Sequence, residues 1–155
     1  MAIEVTVDTT IERSPAGVFE RIADLEAWPE WLIASGITAV RRSSSGPIAL
    51  GEQLVVQQMA AGRPATFAAD VTALEVPSRL AVQGRDDDGI SIEIDASLAP
   101  TDPADGTATA LRWTIRIGLP FRYKILEGIA RPQVERAVQL DLEALRRRLE
   151  SAAPD

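Results

Sequence analysis

The chain contains no histidine and no cysteine, and Lys124 is its only lysine beside fifteen arginines. Those absences remove most of the usual catalytic vocabulary. There is no imidazole base near neutral pH, no Ser-His-Asp relay, no thiolate nucleophile, no thiolate or imidazole metal ligand and no disulfide. What remains for moving protons is the carboxylates, the single Tyr123 and Lys124. A metal would need carboxylates alone, and the one dense acidic cluster is Asp86-Asp87-Asp88 before Gly89. It lacks the alternating ligands and closing glutamate of a calcium loop and reads as a tight solvated turn. Lys124 could form a Schiff base only in a desolvated pocket, and between Tyr123 and Ile125 it reads as a surface group. Neither a metal nor an organic cofactor is expected.

These groups depend on the elements that position them. A length of 155 residues suits one domain, expected over 1–150, with 151–155 as a frayed tail. Hydrophobic residues at 46% and charged residues at 25% argue against disorder and against a fibrous repeat. The net charge of −7 opposes a nucleic-acid partner, whose phosphates call for clustered cations. Glu4 and Asp8 interrupt the N-terminus where a signal peptide needs an apolar run, and no window approaches the ~18 apolar residues of a membrane span. A cytoplasmic location without stable membrane insertion is the expectation; oligomeric state is not legible.

Ile3, Val5, Val7, Thr9 and Ile11 alternate with polar residues, the period of a half-buried strand. Ser14-Pro15 supplies a capping side chain and a first-turn proline, and Val18, Phe19, Ile22 and Leu25 then recur at helical spacing. A second short helix is expected at Trp28-Pro29-Glu30-Trp31-Leu32. Six further strands are expected over about 37–44, 51–60, 64–76, 79–85, 89–99 and 107–118, in meander order and therefore in one antiparallel sheet. Val134, Val138, Leu142, Leu145 and Leu149 form the apolar stripe of a long C-terminal helix, which either begins near Pro132 or is kinked there after a start near Phe121. The result is an α+β domain whose sheet buries one face against that helix. In the last hairpin, an odd sum of facing residue numbers, near 207, keeps Ile90, Ile92 and Ile94 on the same side as Trp113, Ile115 and Ile117. That register opposes Ile94 to Trp113, Ile92 to Ile115 and Asp95 to Arg112, with Arg112 and Arg116 outward and Glu93 diagonal to both.

Several pieces in order carry a resemblance: Ile11 to Ser14-Pro15 leading into Val18-Phe19; Asp24-Leu25-Glu26-Ala27-Trp28-Pro29-Glu30-Trp31; Gly51; Val71 to Pro77 before Arg79-Leu80; Leu98-Ala99-Pro100 before Gly106-Thr107; and Asp141-Leu142 to Leu149-Glu150. They cover nearly the whole chain, which resembles the SRPBCC superfamily, the START-like helix-grip fold, and within it the polyketide cyclase/dehydrase group. The resemblance implies a curved seven-stranded antiparallel sheet wrapped around the long helix, two short helices after the first strand, and a deep pocket between sheet and helix for a lipid, polyketide or other aromatic compound.

The residues agree in part. Inward parity gives Ala65, Phe67, Ala69, Val71 and Ala73 on the fourth strand and Ile90, Ile92, Ile94, Ala96 and Leu98 on the sixth. So many alanines either leave room for a ligand or let the helix pack closer. Trp31, Phe67, Trp113 and Phe121 are candidates to line the pocket and stack on a flat ligand, or are ordinary core, with Ile92 beside them and Trp28 at the rim. Among the polar candidates Gln57, Gln58, Asp70, Gln83 and Arg85, Gln58 is favoured inward because it shares parity with Leu54 and Val56. The ligand-binding set is thus Trp31, Gln58, Phe67, Ile92, Trp113 and Phe121, with no residue assigned to catalysis. The leading function is binding of a hydrophobic or aromatic small molecule. A cyclase/dehydrase-type enzyme using carboxylates or Tyr123 is the alternative, and a protein-interaction module of the same fold is a third.

Overall fold

In the computed structural model, which describes residues 2–60, 62–102 and 104–151, the alternating segments become seven strands of one sheet. They are β1 (Ala2–Ile11), β2 (Ile37–Arg42), β3 (Gln53–Ala60), β4 (Arg63–Glu75), β5 (Arg79–Arg85), β6 (Ser91–Pro100) and β7 (Thr109–Gly118). The order across the sheet is β1-β7-β6-β5-β4-β3-β2, all antiparallel. Consecutive strands from β2 onward are neighbours, as a meander requires, and β1 joins the far edge beside β7. Between β1 and β2 come α1 (Pro15–Ala23), a 3-10 turn (Leu25–Ala27) and α2 (Trp28–Trp31). Ser14 caps α1 through Oγ, which accepts from the Gly17 N–H at 3.2 Å, and Pro15 occupies its first turn.

After β7 a 3-10 helix (Phe121–Leu126) leads straight into α3 (Glu127–Ser151), so the helical run starts at Phe121 and passes through Pro132. That proline withdraws one N–H from the ladder near the exposed start of α3. Ser151 is helical, and the expected fray at 152–155 lies outside the described residues. Val138, Leu142 and Leu145 are buried against the sheet, with Val134 and Leu149 partly buried beside them. Both ends of α3 are tied to the β1 region: Arg131 donates to the Glu4 carbonyl at 2.9 Å, and Glu150 accepts from the Glu12 N–H at 3.0 Å. No helix among the described residues is long and apolar enough to cross a membrane.

The β6–β7 register differs from expectation by two residues. Facing residues sum to 209: Ile94 opposes Ile115, Ile92 opposes Ile117, and Trp113 opposes Ala96. The odd parity, and with it the inward apolar set, is as the alternation requires. Two features favour 209 over 207. The large indole meets a small alanine, and Glu93 stands directly opposite Arg116, whose other neighbour is Glu4 on β1. Arg116 bridges both carboxylates, with Glu4 at 3.0 Å, making one charged row across three strands. Arg112 pairs with Asp8 at 2.8 Å and Asp95 with Arg79 at 2.9 Å, replacing the expected Asp95–Arg112 pair. All of these pairs lie on the outer face, so both arginines point away from the interior.

Candidate functional site

The interior divides into a filled half and an open half. In the filled half α1, α2 and the 3-10 turn pack Phe19, Ile22, Leu25, Trp28 and Trp31 onto the sheet. Trp113 meets the edge of Trp31 at 5.3 Å between ring centroids and that of Trp28 at 6.1 Å. Trp28 donates its indole N–H to the Ile22 carbonyl at 2.8 Å, whereas the buried indole N–H groups of Trp31 and Trp113 have no partner among the described residues.

The open half holds a cavity of about 720 Å³ between the sheet and the first turns of α3. Its sheet side is Ile3, Ile115, Ile117, Ile92, Phe67, Ala65 and Gln58, from five strands whose inward rows converge at the β3–β4 and β5–β6 turns. Its helix side is Ala130, Gln133, Val134 and Ala137, mostly small residues, which is why the space stays unfilled. Ala34 and Ser35, between α2 and β2, close one flank. The rim is polar: Arg63 at the β3–β4 turn, Asp86, Asp87 and Asp88 from the β5–β6 turn, and Tyr123 from the 3-10 helix. Asp86 Oδ1 accepts from the N–H groups of Asp88 and Ile90 at 3.0 and 2.8 Å, which makes 86–90 a tight turn rather than an ion site. Arg63 and Arg122 both approach the Asp88 carboxylate, at 3.8 and 4.0 Å, so the three rim segments meet on one acid.

Of the candidates named from sequence, Gln58, Phe67 and Ile92 are brought together on the cavity wall, and three are not. Trp31 and Trp113 are 0% and 1% exposed in the aromatic plug beyond the cavity, so the expectation that they line it is corrected: α2 delivers Trp31 to the filled half, and Ala96 makes room there for Trp113. Phe121 is 88% exposed, turned outward on the 3-10 helix with Lys124 over its ring at 5.8 Å. Trp28, expected at the rim, is 1% exposed in the same plug. Among the other polar candidates, Gln57, Asp70, Gln83 and Arg85 are exposed. A second hollow of about 520 Å³ on the outer face runs along β2, β3 and β4 past Arg41, Gln53 and Asp70. These three are exposed, and the nearby Arg42 is already committed to Glu52, so the hollow is a solvated groove.

Two polar features escaped the sequence reading. Asp141, on the sheet-facing side of α3, is 2% exposed; its two oxygens accept from the N–H groups of Ala34 and Ser35, each at 2.8 Å. Burial pushes its pKa up, opposed by the hydrogen bonds from Ser35 and Ala34. The second is Glu52, buried at the start of β3, which takes Arg42 Nε and Nη2 at 2.6 and 2.8 Å. Arg42 holds the Glu52 carboxyl below the usual range against the opposing effect of burial. A lone acid in an otherwise apolar helix stripe, with Val138, Leu142 and Leu145 around it, was the trace of Asp141 in the sequence. At the rim, Arg122 and then Arg63 lower the Tyr123 phenol, and the Arg122 guanidinium lies 4.9 Å from the Tyr123 ring centroid.

A seven-stranded antiparallel sheet closed over a long C-terminal helix, with short helices after the first strand, is the START-like helix-grip class. The fold is similar to that of a START superfamily protein from Mycobacterium smegmatis (TM-score 0.72, 16% identity, 95% of this chain and 97% of that one covered). It is equally similar to the Zhui aromatase/cyclase from Streptomyces sp. R1128 (TM-score 0.72, 16% identity, 97% and 94% covered). The protein TTHA0849 from Thermus thermophilus also matches (TM-score 0.74, 17% identity, 97% and 99% covered). At these identities the likeness speaks for fold. The chain belongs to the polyketide cyclase / dehydrase and lipid transport family, which matches residues 2–150. No curated protein matches it in sequence.

Proposed function

We propose that the protein binds a hydrophobic or aromatic small molecule in the cavity between the sheet and α3. The observation that carries this reading is the cavity itself. At about 720 Å³ it falls within the size range of small-molecule sites, and its walls are isoleucine, alanine, valine and phenylalanine with a few polar groups at one flank and the rim. The test is native mass spectrometry of the protein purified from its own host, compared with Ala137→Phe, which projects a ring from α3 into the space. A co-purifying molecule of several heavy atoms on the wild type, lost from the folded variant, supports the reading. A variant that holds the same molecule as well as the wild type refutes it.

One observation favours an enzyme of the cyclase/dehydrase kind as a second reading: Tyr123 stands on the rim with its phenol made more acidic by Arg122 and Arg63. Against it, Arg112 and Arg116 face outward, and both Asp141 oxygens are occupied by backbone N–H groups. If Tyr123 is an acid or base, Tyr123→Phe retains the bound molecule and changes its mass relative to that found on the wild type. The interaction-module reading draws no comparable support. The exposed Phe121, Ile125 and Ile129 lie outside the cavity lining, close in sequence to its lining residues Tyr123 and Leu126.

A further inference from the structure

Gln58 is the one amide on the sheet side of the cavity wall, and its orientation is fixed by a chain of contacts that runs to a buried acid. Its Nε2 donates to the Ser35 carbonyl at 2.7 Å. A carbonyl only accepts, so the nitrogen end of the amide must face Ser35, and Oε1 makes no hydrogen bond among the described residues. Ser35 is itself held: its N–H and that of Ala34 donate to the two oxygens of Asp141 on α3. Gly36 then turns the chain at φ +79° directly against the Met59 backbone, where a Cβ would collide, and Met59 N–H donates to the Gly36 carbonyl at 2.8 Å. The loop carrying the Ser35 carbonyl is thereby clamped from the helix on one side and from β3 on the other. The sheet side of the cavity consequently carries a pre-set hydrogen-bond acceptor among the side chains of Ala65, Phe67, Ile92, Ile115 and Ile117. The charges at the rim point the same way, with Asp86, Asp87 and Asp88 against Arg63 and Arg122.

We propose that Gln58 determines the specificity of this cavity, positioned by Ser35 and Asp141, so that the site prefers an uncharged apolar molecule bearing a hydroxyl over its ether or carboxylate counterpart. This rests on the binding reading above. A hydroxyl satisfies Oε1 by donating to it. An ether leaves that acceptor dry and unpaired, and a carboxylate brings a second set of lone pairs and a negative charge towards three aspartates. The inference thus predicts rejection of fatty-acid-like anions, which cavity size and apolarity alone would admit.

The experiment displaces the neutral dye Nile red from the full chain at pH 7 with 2-naphthol, 2-methoxynaphthalene and 2-naphthoate, on the wild type, Gln58→Met and Asp141→Asn. On the wild type, naphthol is expected to bind roughly three- to tenfold more tightly than methoxynaphthalene, the worth of one neutral hydrogen bond, and naphthoate more weakly than either. Gln58→Met, which keeps the length and removes the acceptor, is expected to bring naphthol down to the affinity of methoxynaphthalene and to leave the latter unchanged. Asp141→Asn is expected to lower the naphthol preference without loss of methoxynaphthalene binding, which a purely structural role would not produce. Equal binding of naphthol and its ether by the wild type, a preference that survives Gln58→Met, or naphthoate matching naphthol overturns the inference and leaves the binding reading standing. A folded Asp141→Asn protein with the full preference overturns the positioning role. Failure of the dye and all three competitors to bind overturns the binding reading, and this inference with it.

Discussion

Truncating Trp113 separates core from ligand site. Its indole is 1% exposed and touches the edges of Trp31 and Trp28 at 5.3 and 6.1 Å. Trp113→Ala removes a buried aromatic, which costs about 3–5 kcal/mol, and two edge-to-face pairs place it towards the upper end. That is a large part of the ~5–15 kcal/mol that holds a domain folded. Trp113→Phe behaves differently. It deletes roughly 40 Å³, whose cavity costs about 1 kcal/mol at ~24 cal/mol per Å³ in addition to the lost transfer free energy, but it also removes a buried indole N–H with no partner among the described residues, whose desolvation costs about 1–3 kcal/mol. The two effects offset, so the phenylalanine variant is expected within about 1 kcal/mol of the wild type. Urea unfolding followed by far-UV circular dichroism measures both, with an unchanged slope as the sign that only stability moved. A phenylalanine variant as damaged as the alanine one would refute the account of the orphaned N–H. An alanine variant within about 1 kcal/mol of the wild type would refute the assignment of Trp113 to the core.

Three further outcomes concern side chains outside the cavity. Glu52→Gln strands the Arg42 guanidinium in a site where the glutamate side chain is 3% and the arginine 12% exposed, and is expected to cost about 3 kcal/mol in the same urea assay. Because Arg42 holds the folded Glu52 pKa below its ordinary 4.5, the folded state carries fewer protons than the unfolded one in that window. Wild-type stability should therefore fall as pH drops below about 4.5, and the Gln variant should lose that part of the acid limb. Asp141 acts in the opposite sense: its raised folded pKa makes its own contribution grow as pH falls, so Asp141→Asn should steepen the acid limb that Glu52→Gln flattens. Phe121→Ala, at a ring 88% exposed and off the cavity wall, should leave Nile red affinity within twofold of the wild type.

The sheet was legible because its information is local. Alternation in β1, the Ser14-Pro15 helix start and the glycine-marked turns each specify their element without reference to the rest of the chain. Side-chain parity carried further still, turning Gln58 inward and Arg112 and Arg116 outward. It stopped short of register, since parity is satisfied by any odd sum. The choice of 209 depends on Arg116 meeting Glu4 and Glu93 at once, a condition spanning three strands separated by about a hundred residues. Asp141 was missed for a similar reason. An acid inside an apolar helical stripe is a conflict when read locally, and it is resolved only by two N–H groups from a loop more than a hundred residues earlier.

The position of the cavity turns on the same distinction. Alanines on the inner face of the sheet are where space can be sought from sequence, yet Ala96 and Ala69 are 1% and 6% exposed, and Ala96 sits opposite Trp113. A small residue opens space only if nothing large is delivered to it, and the helical segment after β1 brings Trp28 and Trp31 onto Trp113 in that half. The space that survives lies where both partners are modest. Ala130, Val134 and Ala137 of α3 face Ala65, Ile92 and Ile117 of the sheet, and no element crosses between them. Within α3 itself the division is visible, with Ala130 and Ala137 over the cavity and Val138, Leu142 and Leu145 over the plug. The plug fixes the fold at one end, which leaves the other end free to be chosen for what it holds. Gln58 stands in that open half, and Asp141 sits at the boundary between the two, so the acid that secures the loop to the helix also orients the Gln58 amide on the cavity wall.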